Sequence, residues 1–130
     1  MLREKKYVVP GDPVAWARPG HNGHHFYDRQ KQDKLHFGIW IENQHENEPL
    51  FKGPLRVSWL FCFSFPQLVR KPEKYEFHTD VPDLDNCIKF VLDAIKGIAI
   101  TDDRIVCGYG YTEKRYDENP RTEFIITELK

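Results

Sequence analysis

The sequence has no C-x-x-C pair, no apolar run near the length of a membrane span, and almost no net charge, formally −1. Each absence narrows what the chain can be. Its three cysteines, Cys62, Cys87 and Cys107, lie far apart, which argues against a disulfide framework and against a zinc ribbon, and all three read as reduced packing residues. With no stretch approaching about 18 apolar residues, no membrane-spanning helix is expected. The opening MLREKKYVVP is too polar for a secretory signal, so the expected location is the cytoplasm. Basic and acidic residues number 19 and 20, so the chain lacks the overall basic character of many nucleic-acid binders, and any such contact must come from local patches. What is present, 40% apolar and 30% charged residues without low-complexity tracts, is the composition of a globular protein. The 130 residues suit one domain, 1–130, which buries roughly two thirds of the surface its unfolded chain exposes.

Pattern along the chain predicts a mixed α/β (α+β) domain. Residues 5–9, KKYVV, read as a short strand stopped by Pro10-Gly11, and DPVAWARPGHNGHH as a long loop. A helix is expected from about Asp28 to Asn47, with Leu35, Ile39 and Trp40 as its apolar stripe. Leu55, Val57, Trp59, Phe61, Phe63 and Phe65 alternate with Arg56, Ser58, Leu60, Cys62 and Ser64, the clearest strand in the chain. Leu84, Ile88, Val91, Leu92 and Ile95 fall at helical spacing, with Asp83 or Asp85 available as a cap and Gly97 at the far end. Two further strands, Ile105 to Glu113 and Glu123 to Leu129, are close enough in sequence to suggest an antiparallel pair. The sheet is thus expected to be small, mixed and mostly antiparallel, with two main helices.

On the second helix Phe90 lies nearly opposite the main apolar stripe. One sheet does not easily cover both surfaces, so either a second subunit or the proline-rich loop after Gly11 must cover Phe90.

Chemistry concentrates in VPDLDNCIKFVLDAIKGIAITDDRIV. Asp83 and Asp85 stand two apart where an extended segment meets a helix, so their side chains can point to one side. Asp102 and Asp103 follow the same helix. Magnesium takes oxygen ligands from one or two carboxylates, keeps several waters and binds substrate phosphate, so a cluster of three carboxylates suits phosphodiester chemistry. Lys89, one turn beyond Asp85, could meet phosphate charge or could only pair with Asp85 or Asp93. Taken singly, a D-x-D is more often a cap, and Asp-Asp an ordinary turn.

The stretch PDLDNCIKFVLDAIKGIAITDDRIV closely resembles the D-x-D-N-x-x-K-x-x-x-D-A-(L/I)…D-D-x-x-V signature of the RusA family of Holliday-junction resolvases, found in bacteria and often in prophages. GDPVAWARPG followed by Phe26-Tyr27 resembles the family's G-x-P-x-x-x-x-R-P start, with Trp16 where a lysine or other polar residue is frequent. The resemblance implies a homodimer with Asp83, Asp85 and Asp103 as the metal-binding carboxylates, Lys89 as the catalytic lysine, and Asp102 as the weaker candidate of its pair. It leaves Asp93 a supporting role inside the helix and Asn86 a role in fixing the helix start. Mg2+ is the implied ion, with Mn2+ an alternative, and branched DNA the implied partner. The implied activity is paired, symmetric nicking of a four-way junction in recombination and repair. The rival readings are a junction-binding module without cleavage and a nuclease acting on flap or other branched DNA.

Arg18, Arg29, Lys31, Arg70, Lys71 and Lys74 are the candidate phosphate contacts. His21, His24 and His25 tempt a zinc reading that lacks supporting cysteines.

Overall fold

Strand β4 (Leu55–Phe63) organises the molecule. Leu55, Val57, Trp59 and Phe61 are fully buried on one side while Arg56 on the other is exposed, and a strand so apolar is stable only in the middle of a sheet. The computed structural model, which describes residues 2–66 and 76–130, places it there. The sheet also contains β1 (Glu4–Pro10), β5 (Val106–Tyr116) and β6 (Arg121–Glu128), in the order β1-β6-β4-β5. β1 and β4 both run antiparallel to β6, and β5 runs parallel to β4. Helices α1 (Lys31–His45) and α2 (Leu84–Ile95) complete the core with this sheet. The class is therefore α+β, with a mixed, mostly antiparallel sheet and two helices. No helix among the described residues is long and apolar enough to cross a membrane.

The two C-terminal strands do not pair with each other as their spacing suggested, because β4 lies between them. Tyr116 is the register partner of Phe63 and Arg121 that of Cys62, so residues 117–120 straddle the end of β4, where the Asp117 N–H donates to the Phe63 carbonyl at 2.9 Å. Two inter-strand spacings, about 9.6 Å, lie within reach of such a short connection. The most apolar strand takes the centre, and the two half-polar strands flank it.

The apolar stripe expected on α1 is also corrected. Leu35, Ile39 and Trp40 are exposed, and the helix buries Phe37, Gly38, Ile41 and His45 instead. Phe37 stacks against Phe124, and the His45 imidazole shares a buried 2.7 Å hydrogen bond with the Tyr7 hydroxyl, tying α1 to β6 and β1. At Gly38 a Cβ would stand 2.9 Å from the Ile98 side chain, so the missing side chain is what admits the turn after α2. Phe90 is 1% exposed within the single chain. Its cover is Phe37 of α1, edge-on at 5.6 Å, so it offers nothing to a second subunit. Of the three free cysteines, Cys62 and Cys87 are packed as expected, but Cys107 is exposed on β5.

His78 closes the end of the core, stacked on Phe63 at 4.0 Å and tilted against Tyr116. Burial, reinforced by nearby Lys114, holds its pKa below the usual 6.5, with Asp80 and Asp12 opposing weakly. The unfolded chain therefore takes up this proton first on acidification. The stability owed to neutral His78 is present above pH 6.5 and is lost as the pH falls through the lower folded value. In His78→Phe, the fall of Tm between about pH 7 and 5 should be shallower than in the parent, as thermal melts would read.

Candidate active site

Asp83 occupies the N-cap position of α2 in extended conformation (φ −69°, ψ 150°), after a cis Val81–Pro82 peptide. An aspartate there ordinarily accepts a backbone N–H of the first turn, but this one makes no side-chain cap bond. Its carboxylate is exposed, as is that of Asp85 in the first turn. Both lie close enough to Cys87 to add to the burial that pushes its thiol up to about 11, so no thiolate competes with them at neutral pH.

The second acidic pair divides its labour. Asp102 caps the short 3-10 turn Asp103–Ile105, accepting the Arg104 N–H at 3.1 Å, and it sits 3.7 Å from the Lys96 ammonium. The Arg104 bond, followed by one shared with Asp103, holds the Asp102 carboxyl below its usual range. Asp103 is exposed and caps nothing, which fits it better than its neighbour for binding an ion.

Asp103 does not, however, join Asp83 and Asp85 within one chain. Among the described residues no three His, Cys, Asp or Glu side chains stand together closely enough to hold a metal. The reason is the helix between them. Twelve residues of α2 span about 18 Å, with Asp83 at one end and the Lys96–Asp102 pair at the other. Strand β5 repeats the separation. Its start follows Asp103, and Lys114 near its end donates to the carbonyls of Asp80 and Pro82, both at 2.6 Å, just before Asp83. The same distances separate the three histidines from any metal-holding group.

Lys89 is exposed on the face of α2 that carries Asp85, and it pairs with neither Asp85 nor Asp93 among the described ion pairs. Its ammonium lies 3.6 Å above the centre of the Trp16 ring. A cation held on an indole face keeps its charge while its position is fixed. Asp93 turns to Lys34 instead, at 3.8 Å. Trp16 is itself anchored, because its N–H donates to the Asn86 carbonyl at 2.8 Å. Next to it the Gln30 side chain accepts from Ala17 N–H at 2.9 Å and donates to the Ala15 carbonyl at 2.6 Å. The segment expected to be irregular loop is thus fastened to the starts of both helices.

From that fastened base rises a hairpin, β2 (Gly20–Asn22) and β3 (His25–Tyr27), in what was expected to be loop. Gly23 turns it at φ +63°, and at Gly20 a Cβ would stand 2.3 Å from the Tyr27 ring. The Asn-Gly dipeptide was the available signal. Phe26 is 78% exposed, with His21 against its ring at 4.9 Å, and Arg18, Arg29 and Lys31 are all exposed around the hairpin's base. Arg70, Lys71 and Lys74 lie outside the described residues.

Comparison with known proteins follows this geometry closely. A family model described as endodeoxyribonuclease RusA matches residues 10–127. An uncharacterised protein of Bacillus subtilis (strain 168), YqaN, is 33% identical over 138 aligned positions, covering 95% of this chain and 96% of its own length.

Proposed function

The chain belongs to the RusA endodeoxyribonuclease family, a family of DNA endonucleases, and from that premise we propose that it resolves four-way DNA junctions by paired, Mg2+-dependent nicks, acting as a homodimer. The observation that carries the reading is the uncapped Asp83 carboxylate beside Asp85 at the start of α2, one helical turn before Lys89. An exposed all-oxygen pair suits a hard cation that retains several waters. Asp83 and Asp85 would hold it. When bound, such a cation lowers the pKa of a coordinated water and offsets charge on the scissile phosphate.

Lys89 contributes a second, fixed positive charge for the phosphate oxygens, and loss of one such stabiliser commonly slows a reaction on the order of 100-fold. Trp16 keeps that ammonium from folding back onto Asp85. Arg18, Arg29 and Lys31, together with Arg70, Lys71 and Lys74, contact the DNA backbone, and the exposed Phe26 ring offers a surface on which an unstacked base at the branch point can rest. The remote Asp103 is supplied by a second copy. A two-fold dimer then holds two equivalent sites, which matches symmetric nicks in opposing strands.

The test is cleavage of a labelled four-way junction beside linear duplex and flap DNA, with Mg2+ or EDTA. Wild type should give paired nicks in the junction with Mg2+ alone, and Asp83→Asn should lower the rate on the order of 100-fold or more. Cleavage mainly of flap DNA would reassign the substrate. Tight junction binding without any nick would make the protein a binding module.

A further inference from the structure

The two edges of the sheet are built differently. β1 carries Glu4, Lys5 and Lys6 and ends at Pro10, charges and a proline of the kind that keep an edge from pairing with another strand. β5, at the opposite edge, is longer, and its first seven residues, VCGYGYT at 106–112, hold no charge and no proline. Tyr109 and Tyr111 on this stretch are 53% and 69% exposed. Further along, the edge is already covered. Phe77 bridges Arg115, with His78 N–H donating to the Lys114 carbonyl and Tyr116 N–H to that of Glu76. Among the described residues, the outer backbone row of residues 106–112 has no strand beside it.

We infer that this stretch of β5 pairs antiparallel with the same stretch of a second copy, centred near Tyr109, making one continuous sheet across the dimer. The inference rests on the dimer proposed above and names its surface. An uncharged edge flanked by glycines accepts a strand, and a strand related by a two-fold axis is the partner whose shape it matches by construction. The chain direction then settles the rest. Antiparallel pairing sets the start of one β5 against the end of the other. Asp103, three residues before Val106, comes to lie beside the partner's Lys114 end, where the chain leads into Asp83 and Asp85. The same contact that closes the edge thus brings together the carboxylates that α2 keeps apart.

Sedimentation of wild type and Tyr109→Lys, with amide hydrogen exchange across β5, tests this. Facing lysines near the axis should raise the dimer dissociation constant at least about tenfold and speed exchange at residues 107–111, with the circular dichroism of the folded chain retained. A wild-type dimer unmoved by Tyr109→Lys, with fast exchange along 106–112, would overturn the edge contact while leaving the dimer in place. A wild-type monomer that still nicks junctions would overturn both the contact and the dimer but not the nuclease. A dimer through β5 that never cleaves would keep the contact and remove the nuclease.

Discussion

A one-to-one mixture of Asp83→Asn and Asp103→Asn chains is expected to regain metal-dependent nicking that neither variant shows alone. If each site takes Asp83 and Asp85 from one copy and Asp103 from the other, a mixed dimer places both substitutions in one site and leaves the other site intact. Random exchange makes half the dimers mixed, and each carries one working site of two, so recovery should reach about a quarter of the wild-type rate. Against parents slowed on the order of 100-fold, that is a gain of more than tenfold. The product also changes, since a dimer with one working site nicks a single strand per encounter and should release nicked junctions rather than resolved pairs.

The outcome is sharp because the single-chain alternative predicts none of it. Were all three carboxylates to meet within one chain, every site in the mixture would carry one substitution and the mixture would stay as slow as its parents. Subunit exchange is followed with two differently tagged chains, so silence in a mixture known to have exchanged would place Asp103 outside the partner's site. The physical case against the single-chain site is the length of α2, about 18 Å between the two groups of acids.

That separation shows where the sequence stopped being legible. The helix was plain from Leu84, Ile88, Val91 and Ile95, and the acids at its ends were plain from their types. Nearness in sequence after a helix was taken for nearness in space, whereas a helix carries its two ends apart by its full length. β4 was readable because alternation over nine residues has one solution, a strand with one buried face. The order of strands was not, since a four-residue turn reaches across one strand as easily as it joins neighbours. On α1, Leu35, Ile39 and Trp40 looked like the buried stripe, yet Phe37 and Ile41 fill the core beside Gly38. Hydrophobicity alone ranks these residues nearly equally, and the close approach allowed by Gly38 selects the face. The role of Trp16 was hidden because its contact with Lys89 joins positions far apart in the chain.

Phe90→Ala should cost about 3–5 kcal/mol of stability, the range for removing a fully buried phenylalanine, where a domain has only about 5–15 kcal/mol in total. Phe90 sits edge-on to Phe37 and fully inside one chain, so the vacancy opens between α1 and α2. Urea unfolding at fixed protein concentration would show a lower midpoint, and fixing the concentration matters because dimer formation itself adds stability by mass action. Phe90→Asp places an unpaired charge in that contact and should give no folded protein. The two aromatic residues Phe90 and Tyr109 therefore carry opposite expectations. Loss of Phe90 weakens the fold of each copy and leaves the surface offered to a partner unchanged, whereas a charge at Tyr109 leaves the fold and weakens association. A Phe90→Ala chain that kept its stability within about 1 kcal/mol but dissociated would place the subunit contact on α2 rather than on β5. Stability lost at Phe90 and association lost at Tyr109 would assign the helix to the core and the strand to the dimer.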